Sequence, residues 1–194
     1  MIAEFLRQEY ASAERYGEQI QACLDAEGVS PDWIIEADIR NAHQNDMRRR
    51  VLARYRGYGT GQSSYLTGFP AHGVDWTWVR LGPDELLDSI YIRYDYWTEL
   101  SAGTRSPQVA ATRIRAGHEA FGVSNQPFLT LARRLREGLV VPPLILVSAD
   151  DGRTRVVLEG HARITGYALA PDAIPSAIAV LLGKSPCIAN WDEY

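Results

Sequence analysis

Glutamate, glycine, histidine and arginine fall within five consecutive positions, 159 to 163, between an apolar run and a second apolar stretch of helical period. The run predicts a buried strand and the stretch predicts a helix, so the four residues lie where a strand turns into a helix. Gly160 would let a ligand approach the backbone closely. The first amide groups of a helix have no intrahelical partner and carry partial positive charge. An anion is the natural occupant of such a turn.

The side chains of this turn suggest specific roles and one alternative. His161 and Arg163 would add donors, and an arginine can hold two phosphate oxygens at once. Glu159 would act with His161 in catalysis, as a general base for a hydroxyl acceptor, or would bind magnesium beside the phosphates. Thr165, one turn into the helix, would reach the site or bond back to its own helix. In the alternative, Arg163 pairs with Glu159 across the turn and His161 makes a core hydrogen bond.

Composition places the chain among ordinary globular proteins. It has 194 residues, 46% of them hydrophobic and 23% charged, and a net charge of −4, so no whole-molecule attraction to nucleic acid is expected. Cys23 and Cys187 are far apart, which excludes a zinc knuckle or a Cys-x-x-Cys redox motif. No stretch is apolar enough for a membrane span and the first residues lack a signal peptide, so we expect a cytoplasmic protein with no membrane partner.

Three parts are expected along the chain. Apolar residues at helical spacing, including Ala13, predict helices over 2–27 and 30–56, which form a helical hairpin at 1–56. A glycine-rich segment follows at 57–73 and is either a linker or a binding loop. Residues 74–194 form the main domain.

The main domain alternates strands and helices. Asp-Gly within ADDGR predicts a hairpin turn between the second and third strands. The segment IYIRY is interpreted as a short strand or extended stretch, and the aromatic residues around it as core, with Tyr94 or Trp97 as alternative platforms for a base. The other predicted elements are strands at 74–81, PPLILVSA, TRVVLEG and 175–183, and helices at 83–87, YDYWTEL, 107–119, 128–139 and 161–170.

The order of these elements resembles the ParB/sulfiredoxin superfamily. The matching stretches are LARRLREGLVVPPLILVSADDGRTRVVLEGHARITGYAL, with its EGHAR turn, and IPSAIAVLLG, within about 76 to 184. The resemblance implies an α+β fold, a ParB/sulfiredoxin-like mixed sheet with flanking helices, here preceded by the helical hairpin. It also implies that Gly160, His161, Ala162 and Arg163 hold the phosphates of a nucleotide such as ATP, ADP or CTP, with magnesium. Serine kinases of this superfamily carry a carboxylate just before the glycine, which is Glu159 here.

A second turn, ELSAGTRSP, lies where the superfamily often has a basic turn that contacts the same nucleotide. Ser101, Thr104 and Arg105 would donate to phosphate or ribose. Alternatively, Gly103 simply ends one helix before a proline starts the next. Neither cysteine lies in the EGHAR turn, so the sulfinic-acid reduction of sulfiredoxins is not expected, and neither is DNA binding through a helix-turn-helix of the ParB kind.

The resemblance favours a nucleotide-binding enzyme, a phosphotransferase or NTP hydrolase with a small-molecule or protein acceptor. The alternative is a non-catalytic, nucleotide-gated regulator whose helical hairpin binds a partner protein or a second copy. A third possibility is a nucleic-acid-binding or nuclease-like protein that uses the basic run at 46–59, although such a run is more often a solvated helix face.

Overall fold

A computed structural model describes residues 1–12, 16–59, 65–150 and 152–194. The chain divides into two compact units, Met1–His72 and Gly73–Tyr194. None of the helices in the described ranges is both long enough and apolar enough to cross a membrane.

The first unit contains more helices than the hairpin that we predicted. The predicted helix at 2–27 is two helices, and Ala13 with residues 14 and 15 lies outside the described residues. The predicted helix at 30–56 is also broken, because the Asn41 side chain accepts from the backbone of Gln44 and starts a new helix there. The helices are α1 (Ile2–Ala11), α2 (Glu18–Glu27), α3 (Asp32–Ile35) and α4 (Ala42–Arg56).

The arginines of α4 are used within the first unit. Arg48 is 1% exposed and donates to the carbonyls of Trp33, in α3, and Asp38, in the break before α4. Arg50 and Arg54 both pair with Glu27 of α2. Arg48, Arg50 and Arg54 of the basic run therefore have partners within the first unit.

The glycine-rich segment at 57–73 belongs to the first unit and supplies part of its core. Tyr58, Leu66 and Phe69 are buried, and the Tyr58 and Phe69 rings lie 6.2 Å apart. Residues 60–64 lie outside the described residues. The described part of the segment is therefore packed structure, in contrast to a solvated linker.

The second unit is a mixed α+β structure around a four-stranded sheet. β4 is antiparallel to β1 and parallel to β2, and β2 is antiparallel to β3, which gives the order β1-β4-β2-β3. The apolar runs of β2 and β4 explain their central places, because a central strand is covered on both faces. The strands are β1 (Asp75–Leu81), β2 (Leu144–Ser148), β3 (Val156–Glu159) and β4 (Ile178–Lys184).

Five α-helices of the second unit lie in the described ranges. The segment IYIRY is not a strand, and only Ile90 makes an isolated bridge, to Val156 of β3. The predicted helix at 107–119 ends early, because Gly117 takes a left-handed conformation (φ 83°) and its amide returns to the Ile114 carbonyl. The helices are α5 (Pro83–Leu87), α6 (Asp95–Leu100), α7 (Pro107–Arg115), α8 (Gln126–Arg136) and α9 (His161–Leu169).

The turn between β2 and β3 is organised by Asp150. Its carboxylate accepts from the backbone and hydroxyl of Thr154 and from the Ser148 hydroxyl. These hydrogen bonds, that of the Thr154 backbone first, lower the pKa of Asp150 to about 2. Asp151 of the predicted Asp-Gly turn lies outside the described residues, whereas Gly152 is left-handed (φ 92°).

Close packing at Gly166 fixes α9 against α8. A Cβ atom at this position would lie 2.9 Å from Cγ of Leu131 and 3.2 Å from Cδ1 of Leu135, both on α8. The two helices can therefore approach only because position 166 has no side chain.

We expect Gly166→Ala to lower the free energy of unfolding by about 1–3 kcal/mol, because the added methyl group overpacks the contact with α8. Urea denaturation measures the change. Gly82→Ala is the matched control, since a Cβ atom there would meet only Oε2 of Glu85 at 3.6 Å. Equal stability of the two variants would contradict this description of the α8–α9 contact.

Candidate functional site

The turn between β3 and α9 is built around a glycine that the local geometry requires. Gly160 has φ 109° and ψ 22°, a conformation that residues with a side chain rarely adopt. A Cβ atom there would lie 3.0 Å from Cγ of Leu144 and 3.3 Å from Cζ of Arg163. The close approach that the sequence suggested for a ligand is thus made by the guanidinium of Arg163.

Arg163 is held by hydrogen bonds within the chain. Its Nη1 donates to the carbonyls of Pro142 and Pro143 at 2.9 and 2.8 Å, and its Nη2 donates to Oε1 of Glu159 at 2.8 Å. The side chains of Arg163 and Glu159 are only 12% and 16% exposed. This is the alternative arrangement, the pair across the turn, so in this conformation Arg163 is committed to the fold and is not a free phosphate clamp.

The same pair bears on the predicted magnesium site. Glu159 would have to leave a cationic partner before it could bind another cation. The described part of the chain also contains no group of three or more His, Cys, Asp or Glu that could hold a metal ion. The residues present therefore do not fit a magnesium ion that the protein itself holds at Glu159.

His161 is a buried, neutral imidazole. Its ring stacks on Trp97 with centroids 5.1 Å apart and an angle of 15°, and it is 9% exposed. Burial and then the charge of Arg163 lower the pKa of His161 to about 3, although a hydrogen bond with the Val157 backbone acts in the other direction. Within the described residues, Nε2 has no hydrogen-bond partner. At neutral pH, His161 therefore adds no positive charge to the turn, and its contact with a phosphate stays a prediction.

Thr165 lies inside the structure, completely buried. Its hydroxyl donates to the His161 carbonyl at 2.7 Å and lies 2.7 Å from the Tyr91 hydroxyl. The interpretation of Thr165 as a residue that bonds back to its own helix is the one observed, and the ligand contact that we predicted for it is not available.

The second predicted turn, after α6, adopts strained backbone conformations. Ala102, Gly103 and Arg105 all have positive φ, of 51°, 79° and 61°. Ser101 is fully buried, accepts from the Arg105 amide at 2.9 Å and donates to the Trp97 carbonyl at 2.6 Å. The Thr104 hydroxyl donates to the Ser101 carbonyl at 2.7 Å. Ser101 and Thr104 therefore shape the turn, and their predicted donors already have partners.

Arg105 differs from these residues because its guanidinium is only partly satisfied. Nε donates to the Tyr91 carbonyl and Nη1 to the backbone oxygen of Tyr194, both at 2.7 Å. Nη2 has no partner within the described residues. Burial and then the charge of Arg93 lower the pKa of Arg105 to about 10, so the guanidinium remains protonated at neutral pH.

Tyr91 joins the two turns, and the sequence did not single it out. Its amide and carbonyl bond to Arg105, its hydroxyl meets Thr165, and its ring lies 6.3 Å from the His161 ring. The predicted site residues of both turns are therefore assembled around one tyrosine. The sequence feature that could have identified Tyr91 was the density of aromatic residues in IYIRYDYWTEL, which we interpreted mainly as core.

Ala162, half-buried in the first turn of α9, contributes only its backbone.

The two ends of α9 differ in the side-chain hydrogen bonds made to their backbone groups. At the C-terminal end, Arg115 donates to the carbonyls of Ala168 and Leu169, and Arg136 also donates to that of Leu169. At the N-terminal end, no side chain caps the helix. The carbonyls at the negative end of the helix dipole thus have arginine donors, whereas no side chain caps the positive end, behind Gly160.

We expect Arg163→Ala to lower the free energy of unfolding by about 2 kcal/mol, because the substitution leaves Glu159 and two proline carbonyls without their donor. Arg133→Ala is the matched control, since Arg133 also forms an i,i+4 pair, with Glu137, but both side chains are more than half exposed. That control should change stability by no more than about 0.5 kcal/mol in chemical denaturation. Similar losses in the two variants would show that the bonds of Arg163 do not hold the turn.

We expect burial of His161 to make the protein sensitive to acid. The unfolded state takes up a proton at His161 near pH 6.5 and the folded state only near pH 3, so in that window the unfolded state holds more protons. The part of the folding stability that depends on a neutral His161 is complete above pH 6.5 and is lost as the pH falls. Between pH 7 and pH 5, wild type should lose about 2 kcal/mol more stability than His161→Gln.

Denaturant titrations at both pH values measure this difference, and His43→Gln, in the first unit, controls for the loss of an imidazole as such. If wild type and His161→Gln lose stability in parallel, the imidazole is not held neutral by burial.

Comparisons of the chain with protein-family models, with curated proteins and with solved structures gave no match.

Proposed function

We propose that the second unit binds a nucleotide through its phosphates at the N-terminal end of α9. The observation that carries this proposal is the asymmetry of α9, whose C-terminal carbonyls are compensated by Arg115 and Arg136 while its N-terminal end has no side-chain cap. A helix N-terminus without a side-chain cap attracts an anion through its amide groups and through the helix dipole. Arg163, close to this end, adds positive charge even though it is paired.

The order of elements supports the same proposal. A strand, several helices, a β2–β3 hairpin, α9 and a final strand parallel to β2 follow one another. This is the order on which the resemblance to the ParB/sulfiredoxin superfamily rests, and we propose that the unit is a nucleotide-binding domain of that class. The expected ligands are ATP, ADP and CTP, with any magnesium ion carried by the nucleotide phosphates.

The residues of the turn divide into contacts and supports. The backbone amides of His161 and Ala162 would contact phosphate, and Arg105 would add a charged donor from the second turn. Gly160 and Arg163 would act as supports that fix the direction of these amides. This division differs from the sequence-based expectation, in which Arg163 itself holds the phosphates.

Binding without turnover suits this geometry better than catalysis. Glu159 is paired with Arg163, and the neutral imidazole of His161, with its pKa lowered to about 3, is a weak base. We therefore favour a nucleotide-gated regulator, in which the helical first unit would bind a partner protein or a second copy. A phosphotransferase or NTP hydrolase would require Arg163 to release Glu159 during the reaction.

Titration calorimetry with ATP, ADP and CTP, each with and without magnesium, tests the proposal. We expect at least one nucleotide to bind, and Arg105→Ala to weaken that binding by about 1.5–3 kcal/mol, as for loss of a charge-assisted hydrogen bond. Arg133→Ala, on the exposed face of α8, should bind as wild type does.

Two outcomes would count against this assignment. Absence of binding by any of the three nucleotides would remove the proposed function, and equal binding by wild type and Arg105→Ala would remove the second turn from the site. Release of phosphate or its transfer to an acceptor in a turnover assay would identify an enzyme in place of a regulator.

A further inference from the structure

A short segment, residues 191–194, lies across the second turn and is called here the 191–194 strap. Trp191 is 1% exposed and anchors it. The carbonyl of Glu193 accepts from the Arg93 amide at 3.0 Å, and the Tyr194 hydroxyl accepts from the Ala149 amide at 3.0 Å. The strap thus spans from the segment before α6 to the end of β2.

The strap is hydrogen-bonded to Arg105, the arginine that the proposed function requires. The backbone oxygen of Tyr194 accepts from Nη1 of Arg105 at 2.7 Å. The remaining terminal nitrogen, Nη2, is buried and has no partner within the described residues. A phosphate could therefore reach Arg105 only after the strap has moved.

The closed position of the strap has a free-energy cost. Besides Nη2 of Arg105, it buries Oε2 of Glu193 without a partner in the described part of the chain. Burial, and then the charges of Asp95 and Asp192, raise the pKa of the Glu193 carboxyl. Buried polar groups without partners are destabilising, so the strap is held less firmly than its hydrogen bonds alone suggest. Trp191 provides a hydrophobic anchor about which residues 192–194 can open.

We propose that the 191–194 strap is an autoinhibitory cover that competes with an anionic ligand for Arg105. The strap proposal rests on the proposed function, since the ligand is the nucleotide phosphate. When the strap opens, the guanidinium exchanges the backbone oxygen of Tyr194 for phosphate oxygens, and Glu193 reaches solvent. The apparent affinity for the ligand is then reduced by the fraction of molecules in which the strap is closed.

Chemical modification of Arg105 tests the cover without any nucleotide. Phenylglyoxal is applied to wild type and to a variant that lacks residues 192–194, and the adduct at Arg105 is followed by peptide mass spectrometry. We expect modification of Arg105 to be about tenfold faster in the truncated variant, as for a minor open state that becomes dominant. Arg133, 64% exposed, should react at the same rate in both and serves as the internal control.

Titration with ATP and CTP is the second arm. We expect the truncated variant to bind the preferred nucleotide about tenfold more tightly than wild type. Tyr194→Phe, which removes the bond from the Ala149 amide and the longer one to the Thr154 carbonyl (3.4 Å), should shift both readouts in the same direction by a smaller factor. It keeps the test decisive if truncation impairs folding, and Tyr10→Phe, which also removes a phenol hydrogen bond but in the first unit, is its matched control.

The two arms separate the possible failures. Equal modification rates at Arg105 in wild type, in the truncated variant and in Tyr194→Phe would overturn the strap proposal, whatever the nucleotides do. Faster modification with equal nucleotide affinity would show that the strap covers Arg105 but does not inhibit binding, which also overturns it. Faster modification with no binding in any variant would leave the cover in place and remove the nucleotide function, and its inhibition with it.

Discussion

The turn between β3 and α9 in the second unit depends on the hydrogen bonds of the Arg163 guanidinium. The guanidinium bonds to the carbonyls of Pro142 and Pro143, just before β2, and to the carboxylate of Glu159, the last residue of β3. One side chain of α9 therefore ties its helix to the beginning of one strand and the end of the next. Because these bonds have little solvent access, they direct the first turn of α9 more firmly than an exposed ion pair would.

The buried polar groups behind this turn form one connected set. Tyr91 bonds through its backbone to Arg105 and through its hydroxyl to Thr165, and Thr165 bonds in turn to the carbonyl of His161. A displacement of either turn would leave several of these groups without partners, at a cost that increases with each lost bond. The two turns therefore have a fixed relation to one another, which a ligand that contacts both of them would need.

The sequence was sufficient to predict elements whose apolar pattern is strong. The four strands of the second unit and the helix after the EGHAR turn follow from apolar runs, an Asp-Gly turn and the helical period, because these patterns arise from burial and from local backbone preferences. The two predicted site turns do come together, through Tyr91. The superfamily assignment itself stays a prediction.

The errors come from features that a local pattern does not record. The break before α4 depends on the Asn41 cap and on a buried arginine, Arg48, whose partners are carbonyls of an earlier segment. The partner of Arg163 could not be chosen from the sequence, because a flexible side chain can turn toward solvent or back over its own turn. The burial of His161 depends in the same way on Trp97, which is distant along the chain.

The pairing of Trp76 with Gly183 in the β1–β4 ladder has a consequence for the accuracy of folding. A Cβ atom at position 183 would lie 2.7 Å from the indole, so the ring covers the backbone of β4 at that residue. A slip of β1 by one residue along β4 would place Leu182 or Lys184 beneath the ring, and neither leaves the space that a glycine does. The glycine at position 183 therefore favours one alignment of β1 on β4.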